Sequence, residues 1–211
     1  GYDGWDLDWE ENLNYPQFLA LVKGLRAAAP DKVITLPVMW INQNFPGIDP
    51  FYASVAPYLD QMNIMSYLMA DAWSGWLSWH SSALRGAAGN YPSSVESSVN
   101  AYRAAGVPAQ KLGVGISFFG ACWSALTTAP RQTVQNGSHI VASDNVMSYA
   151  NIMNQYYAAN RSVYDTLAEA PYLSSPTAFG PQNCTFVSYE NEPSVAAKGA
   201  PEAILDLCHM P

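Results

Sequence analysis

Three acidic side chains near the start of the chain have a spacing suited to proton transfer. In the opening stretch GYDGWDLDWE, Asp6, Asp8 and Glu10 alternate with large apolar residues. Side chains of a β-strand alternate between its two faces, so the carboxyl groups share one face. A solvated acidic edge would not need the apolar residues, and the pattern therefore predicts a buried strand that carries its carboxylates into a concave site. Carboxylates this close cannot all ionise at little cost, which suits them to share a proton.

A divalent-cation site built from Asp3, Asp6 and Asp8 is the alternative interpretation of these acids. Calcium loops need glycine-bearing turns and oxygen ligands from several directions, which an extended strand does not offer. The three cysteines have no spacing typical of a zinc site, and at most one internal disulfide can form among them. We predict no metal site and no organic cofactor. The histidines show no partner spacing and are interpreted as surface or structural residues: His80, His139 and His209.

The composition limits the classes of fold and partner. The chain has 211 residues, of which 49% are hydrophobic and 12% charged, enough to fill one sizeable core. A formal net charge of -8 argues against nucleic acid or an anionic membrane surface as a partner, since both attract basic patches. No stretch reaches the roughly 18 apolar residues that a membrane span needs. A neutral or cationic ligand fits this composition better.

The elements that must position the acids follow an alternating pattern. Helical spacing begins after Asn14 and stops by Pro30, and further helices are predicted over residues 53–60 and 94–106. After the acidic strand, more strands are predicted over residues 32–40, 61–69 and 111–120. Such βα units in series imply a parallel sheet. The rhythm is lost from about Ala121, where a helix over 145–159 and a strand over 184–190 indicate an α+β region.

These residues resemble the glycoside hydrolases of family 18, the chitinases. DGWDLDWE meets every fixed position of the DGxDxDxE signature, through Asp3, Gly4, Asp6, Asp8 and Glu10. The later segments resemble, in family order, the sixth strand, the seventh strand and two stretches of the inserted α+β domain: MSYLMADAW, GISFFGACW, VYDTLAEAPYL and FVSYENEPSVAAKG. The resemblance covers nearly the whole chain.

The resemblance implies an α/β fold of the TIM-type βα barrel, with the site at the carboxyl ends of the strands. Only strands four to seven of that barrel and its insertion have counterparts here, which predicts a partial, half barrel. We divide the chain into βα units over residues 1–120, an α+β insertion over 121–198 and a C-terminal tail over 199–211. Open edges of a half barrel invite association, so a homodimer through these edges is expected.

The resemblance also implies an activity, hydrolysis of β-1,4-linked N-acetylglucosamine units in chitin or chito-oligosaccharide. The family's reaction is retaining and substrate-assisted, because the N-acetyl oxygen attacks the sugar to form an oxazolinium. Glu10 would be the general acid, while Asp8 shares a proton with Asp6 and then orients the acetamide. Tyr67 would donate a hydrogen bond to the acetamide oxygen, and Asp3 and Gly4 would be structural. Such a substrate is too large and insoluble to enter cells, so a secreted protein is expected.

Aromatic residues at strand ends are the candidate sugar contacts. Flat apolar faces stack on sugar rings, although core packing is the alternative for every tryptophan. Met65 faces inward beside Tyr67 and is predicted to line the site, although methionine in a strand is more usually core filler. Five tryptophans lie at predicted strand ends or in adjoining loops: Trp40, Trp73, Trp76, Trp79 and Trp123. Of these, we favour Trp40, Trp73 and Trp123 as members of the cleft.

Several positions depart from the family pattern. Leu68 stands where the family usually has Asp or Asn, Ala121 replaces an arginine, and Glu190 and Asn191 replace the two aspartates of its YDD segment. Each loss of a polar group predicts weaker binding or an altered substrate. An endo-acting N-acetylglucosaminidase is therefore an alternative, and a non-catalytic sugar-binding remnant is another. The presence of Glu10 counts against the latter.

Overall fold

A computed structural model describes residues 1–42, 44, 47–135 and 137–199. The first half of the chain forms a parallel sheet in the order β1-β2-β3-β4. Its elements are β1 Gly4–Asp6, α1 Tyr15–Ala28, β2 Val33–Met39, α2 Phe51–Val55 with a 3₁₀ turn Ala56–Tyr58, β3 Gln61–Met65, α3 Val95–Ala104, a 3₁₀ turn Ala109–Lys111 and β4 Leu112–Val114. The predicted parallel sheet is confirmed.

Local sequence signals account for the two longer helices on this sheet. The Asn14 side chain accepts a hydrogen bond from the Gln17 backbone N–H at 3.1 Å and so begins α1. Ser94 and Ser97 form a reciprocal capping box at the start of α3. Basic side chains lie in the last turn of both helices, where they favour the negative end of the helix dipole.

The helices cover one face of the parallel sheet. Every second residue of β2 is buried, and the residues between them are partly or fully exposed. The core lies between this sheet and the helices and contains, among others, Phe18, Val22, Ile34, Leu36, Val38, Met62, Ile64, Val95, Val99 and Tyr102. The opposite face of the sheet is left more open, and its side chains are the ones available to a ligand.

The predicted buried acidic strand is wrong in extent and in burial. β1 contains only Gly4–Asp6, and Asp6, Asp8 and Glu10 are all exposed. Trp5 and Trp9, expected on a buried face, are 42% and 43% exposed. β1 is the outermost strand of the sheet, and therefore only one neighbouring strand shields it.

The second half of the chain forms an antiparallel sheet in the order β6-β5-β9-β8-β7. Cys122 of β5 and Cys184 of β9 form a disulfide between neighbouring strands; Cys208 and His209 lie outside the described residues. The elements are β5 Ala121–Ser124, β6 His139–Ala142, α4 Tyr149–Gln155, β7 Ser162–Asp165, β8 Ala170–Phe179, β9 Cys184–Ser188 and α5 Glu192–Gly199.

Candidate active site

A glycine allows β1 to lie close to β2. Gly4 pairs with Val33 in the parallel register, and a Cβ atom added to Gly4 would lie 1.9 Å from the Val33 carbonyl oxygen. Only glycine tolerates this approach. Two residues further along the same register, Asp6 lies beside Thr35, whose hydroxyl donates a hydrogen bond to Asp6 Oδ1. The carboxylate of Asp6 is thereby oriented by the neighbouring strand.

Asp8 and Glu10 lie beyond the carboxyl end of β1. The Leu7 N–H still donates to the Thr35 carbonyl oxygen at 2.9 Å, and the Trp9 N–H then turns back to the Leu7 carbonyl at 3.0 Å. The Trp9 indole N–H donates to the Glu11 carbonyl at 2.9 Å. This irregular segment places both carboxyl groups at the edge of the sheet where ligands of βα folds bind.

Tyr67 follows β3 at the same edge of the sheet. Burial raises the pKa of its hydroxyl, and the negative charges of Asp8, Glu10 and Asp6 raise it further. The structure therefore brings Tyr67 within electrostatic reach of all three acids and keeps its phenol protonated, able to donate a hydrogen bond.

The chain after β4 supports the Tyr67 ring from one side. The Gly115 N–H donates to the Ile64 carbonyl at 2.7 Å, and a Cβ atom at Gly115 would lie 3.1 Å from Tyr67 Cε1. The Phe119 ring meets the Tyr67 ring in a T-shaped contact with centroids 5.7 Å apart. Glycine at position 115 therefore makes room for the tyrosine.

Three partly exposed tryptophans form a cluster beyond β2 and β3. The ring centroids of Trp40 and Trp73 are 6.2 Å apart, and those of Trp73 and Trp76 are 6.1 Å apart. Met65, at the end of β3, pairs in register with Met39 of β2 and is also partly exposed. These side chains give the edge of the sheet an apolar surface.

Trp123 does not belong to this surface. It is fully buried in β5 and packs on Phe186 with ring centroids 6.1 Å apart, so it has no face for a sugar, and its prediction as a cleft residue is wrong. Trp79 is also fully buried and stacks on Tyr91. Trp123 is buried because β5 lies inside the antiparallel sheet, between β6 and β9, and core packing is thus the correct interpretation of this residue.

Sequence reasoning also missed a buried ion pair. Glu190, seen only as a departure from the family pattern, is buried and bonded to Lys198 Nζ, a group on α5 with no exposed surface. Ser194 Oγ donates to the other Glu190 oxygen at 2.5 Å. The signal that could have found the pair is the spacing of Ser194 and Lys198, four residues apart on one helix face.

Two cavities adjoin the site. One of about 240 Å³ is lined by Leu68, Ala70, Asp71, Trp73, Ile140 and Ser143. A larger one of about 400 Å³ lies beyond Phe119, with Phe118, Tyr149, Tyr189 and Glu192 among its lining residues.

Among the residues that the structure describes, no group of His, Cys, Asp or Glu side chains could hold a metal ion. No helix in the same ranges has the length and apolar character that crossing a membrane requires.

Comparison with known proteins decides the family. The model for Glycosyl hydrolases family 18 matches residues 1–202. The chain belongs to this family. Among curated family 18 relatives, Chitinase 63 from Streptomyces plicatus is 30% identical over 162 residues, which cover 63% of this chain and 24% of that protein. Chitinase A1 from Niallia circulans is 25% identical over 231 residues, covering 94% of this chain and 32% of that one.

Solved chitinase structures show the same fold. A chitinase from Rhizomucor miehei has a TM-score of 0.75 at 19% identity, over 98% of this chain and 66% of that one. A class V chitinase from Nicotiana tobaccum in complex with NAG4 has a TM-score of 0.70 at 22% identity, over 98% and 61%. The fold is therefore α/β and TIM-barrel-like. The chain spans 24% to 34% of the length of the curated relatives.

Proposed function

We propose that this glycosidase cleaves β-1,4-linked N-acetylglucosamine units, as a chitinase does, by a retaining and substrate-assisted mechanism. One observation carries the proposal: Tyr67 lies within electrostatic reach of Asp6, Asp8 and Glu10, beyond the carboxyl ends of parallel strands. Family membership and the similarity to chitinases support it.

Each of these side chains has one role in the proposed reaction. Glu10 protonates the glycosidic oxygen as the general acid. Asp8, next to the Thr35-bound Asp6, holds the acetamide N–H, and Tyr67 donates to the acetamide carbonyl oxygen. That oxygen attacks the anomeric carbon as the leaving sugar departs, which forms the oxazolinium. Water then attacks the anomeric carbon from the face that the leaving sugar vacated, Glu10 takes the proton of this water, and the bond between the anomeric carbon and the oxazolinium oxygen breaks, so the configuration is retained.

The sugar contacts are proposed from the exposed apolar surface at the same edge. Trp40 and Trp73 would stack on sugar rings, because both are partly exposed and lie next to one another beyond the strands. Met65 would line the site between them and Tyr67. The ligand would thus be chitin or a chito-oligosaccharide, and action on so large a polymer favours a secreted protein.

A second candidate function is chito-oligosaccharide binding without turnover. Asp8 and Glu10 are exposed in the described structure, whereas a general acid works best in a water-excluded site. An endo-acting N-acetylglucosaminidase would use the same residues on a different substrate.

We further propose that β1 to β4 correspond to strands four to seven of a TIM-type barrel. The proposed units are the βα units over residues 1–120 and the α+β insertion over 121–198; the proposed tail over 199–211 lies, apart from Gly199, outside the described residues. In the part of the chain that the structure describes, β1 and β4 are the two edges of the parallel sheet. Unpaired strand edges are templates for pairing, so two copies should associate as a homodimer. Sedimentation velocity should show twice the single-chain mass at high concentration; one single-chain species at every concentration would contradict this.

Two substrates that differ only in the acetamide group test the proposed mechanism. The chain should release a fluorogenic group from an N,N'-diacetylchitobioside and leave the matching cellobioside intact, because only the former carries the internal nucleophile. NMR of the first product should show the β-anomer. Equal rates on both substrates, or an inverted first product, would contradict the mechanism, and binding without release would favour the second candidate.

A further inference from the structure

We propose that Ser81 and Ser82 position Tyr67 for catalysis, and that the buried Glu190–Lys198 pair anchors Ser82. The proposal rests on the proposed function, because it assigns these residues a role in the same site. None of them touches the sugar in this account. They act through the backbone on either side of Tyr67, and they come from a loop and a helix that follow the catalytic strands.

The backbone next to Tyr67 has an unfavourable conformation. Leu68 has a φ of 51°, in the left-handed region that bulky side chains rarely adopt. Such a residue keeps its conformation only when the surrounding structure holds it there. The direction of the Tyr67 side chain therefore depends on the contacts that fix the peptide groups before and after it.

Two serine hydroxyls provide these contacts. Ser82 Oγ donates to the Ser66 carbonyl oxygen at 2.5 Å, directly before Tyr67. Ser81 Oγ accepts from the Leu68 N–H at 3.0 Å, directly after it, and the Ser81 carbonyl accepts from the Met69 N–H at 2.9 Å. Both serines are buried, so water does not compete for these groups.

Lys198 fixes the direction of the Ser82 hydrogen bond. Its ammonium group donates to Ser82 Oγ at 3.0 Å and to the Ser82 carbonyl at 2.7 Å, and it also donates to Glu190. An ammonium group can only donate, so Ser82 Oγ must accept from Lys198 and donate its own O–H to the Ser66 carbonyl. Ser81 is held separately, since its N–H donates to Ser188 Oγ of β9 at 2.8 Å.

Single serine variants test this role with little risk to folding. In Ser82→Ala and in Ser81→Ala, kcat on the diacetylchitobioside should fall by about tenfold to a hundredfold with KM within about twofold, because misplacement of a group that acts in the transition state lowers kcat. The matched control is Ser78→Ala. Ser78 is also buried and donates to a backbone carbonyl, that of Ala129, but none of its bonds reaches residues 66–69. Its kcat should stay at the wild-type value.

A double-variant cycle separates positioning from a general loss of structure. If Ser82 acts through Tyr67, Ser82→Ala should lower kcat little further in a Tyr67→Phe background. A full, additive loss in that background would overturn the proposal. So would an unchanged kcat in both serine variants.

A measurement without turnover keeps the proposal testable if the proposed function fails. In protein labelled with ¹³C at tyrosine Cζ, the Tyr67 signal, assigned from Tyr67→Phe, should titrate at lower pH in Ser82→Ala than in wild type, because the ring leaves its buried place beside the acids. Ser78→Ala should not change it. If the wild type is inactive but Ser82→Ala shows this shift, only the proposed hydrolase function is refuted. An unchanged Tyr67 signal in both serine variants would refute the positioning role of the serines.

Discussion

A buried histidine links the loop after β3 to the antiparallel sheet. His80 is fully buried, and its Nε2 lies 2.8 Å from Asp165 Oδ2, which also accepts from Arg131 Nη1 at 2.5 Å. Burial lowers the pKa of His80, although Asp165 opposes this shift. Burial alone would raise the pKa of Asp165, but the hydrogen bonds from His80 and Arg131 outweigh it and hold that pKa well below its usual range.

These shifts predict that the free energy of unfolding falls as the pH is lowered. A histidine whose pKa is lower in the folded state than in the unfolded state contributes its full stabilisation above the unfolded pKa, which is near 6.5. As the pH falls below that value, this contribution to the free energy of unfolding is lost, with a limiting slope of about 1.4 kcal/mol per pH unit. The depressed pKa of Asp165 adds a further loss below about pH 4.

Urea unfolding between pH 7 and pH 5 measures the histidine contribution. His80→Gln should remove most of the slope in this range, because no buried imidazole then takes up a proton. His139→Gln is the matched control, since His139 is exposed, and it should keep the wild-type slope. A wild-type slope in His80→Gln would contradict the assignment.

At the scale of the elements, the close pairing of β1 with β2 makes Gly4 indispensable. Gly4→Ala should lower the free energy of unfolding by at least about 3 kcal/mol, because the new methyl group would overlap the backbone of Val33. Gly24→Ala is the control: nothing lies within 4 Å of its added Cβ in α1, and alanine should stabilise this helix by roughly 0.5–1 kcal/mol. Chemical denaturation checks both values, and a Gly4→Ala protein as stable as wild type would contradict the register.

Element types could be predicted from the sequence better than element ends. The parallel sheet and α1 follow from hydrophobic periodicity and from the Asn14 cap. The strand predicted over residues 61–69 ends at Met65, because Ser66 and Leu68 turn towards the serines of a distant loop. The helix predicted over residues 145–159 is shorter because Ser148 caps it at Tyr149. Such endings depend on tertiary contacts that periodicity does not contain.

At the scale of the whole molecule, the acidic motif and Tyr67 could be predicted because their family pattern is local in sequence. Their grouping at one edge agrees with the raised pKa of Tyr67, which is caused first by burial and then by the charges of the three acids. The burial of Trp123 could not, since it depends on packing against Phe186, far away in the chain. The spacing of Ser194 and Lys198 is a local signal for the Glu190–Lys198 pair, but the contact of Lys198 with Ser82 joins segments far apart in the chain. The exposed state of Asp8 and Glu10 likewise depends on what lies beside the outermost strand.

Glu10 is proposed as the general acid of an N-acetylglucosamine hydrolase, and the neighbouring Glu11 allows a direct test. Wild type and Glu11→Gln should release the fluorogenic group from N,N'-diacetylchitobioside at similar rates. Glu10→Gln should be at least about a hundredfold slower, because it removes the transferable proton. Calorimetry should show that Glu10→Gln still binds chito-oligosaccharide. The assignment is contradicted if Glu10→Gln cleaves the diacetylchitobioside as fast as wild type. It is also contradicted if neither the wild type nor any variant cleaves this substrate.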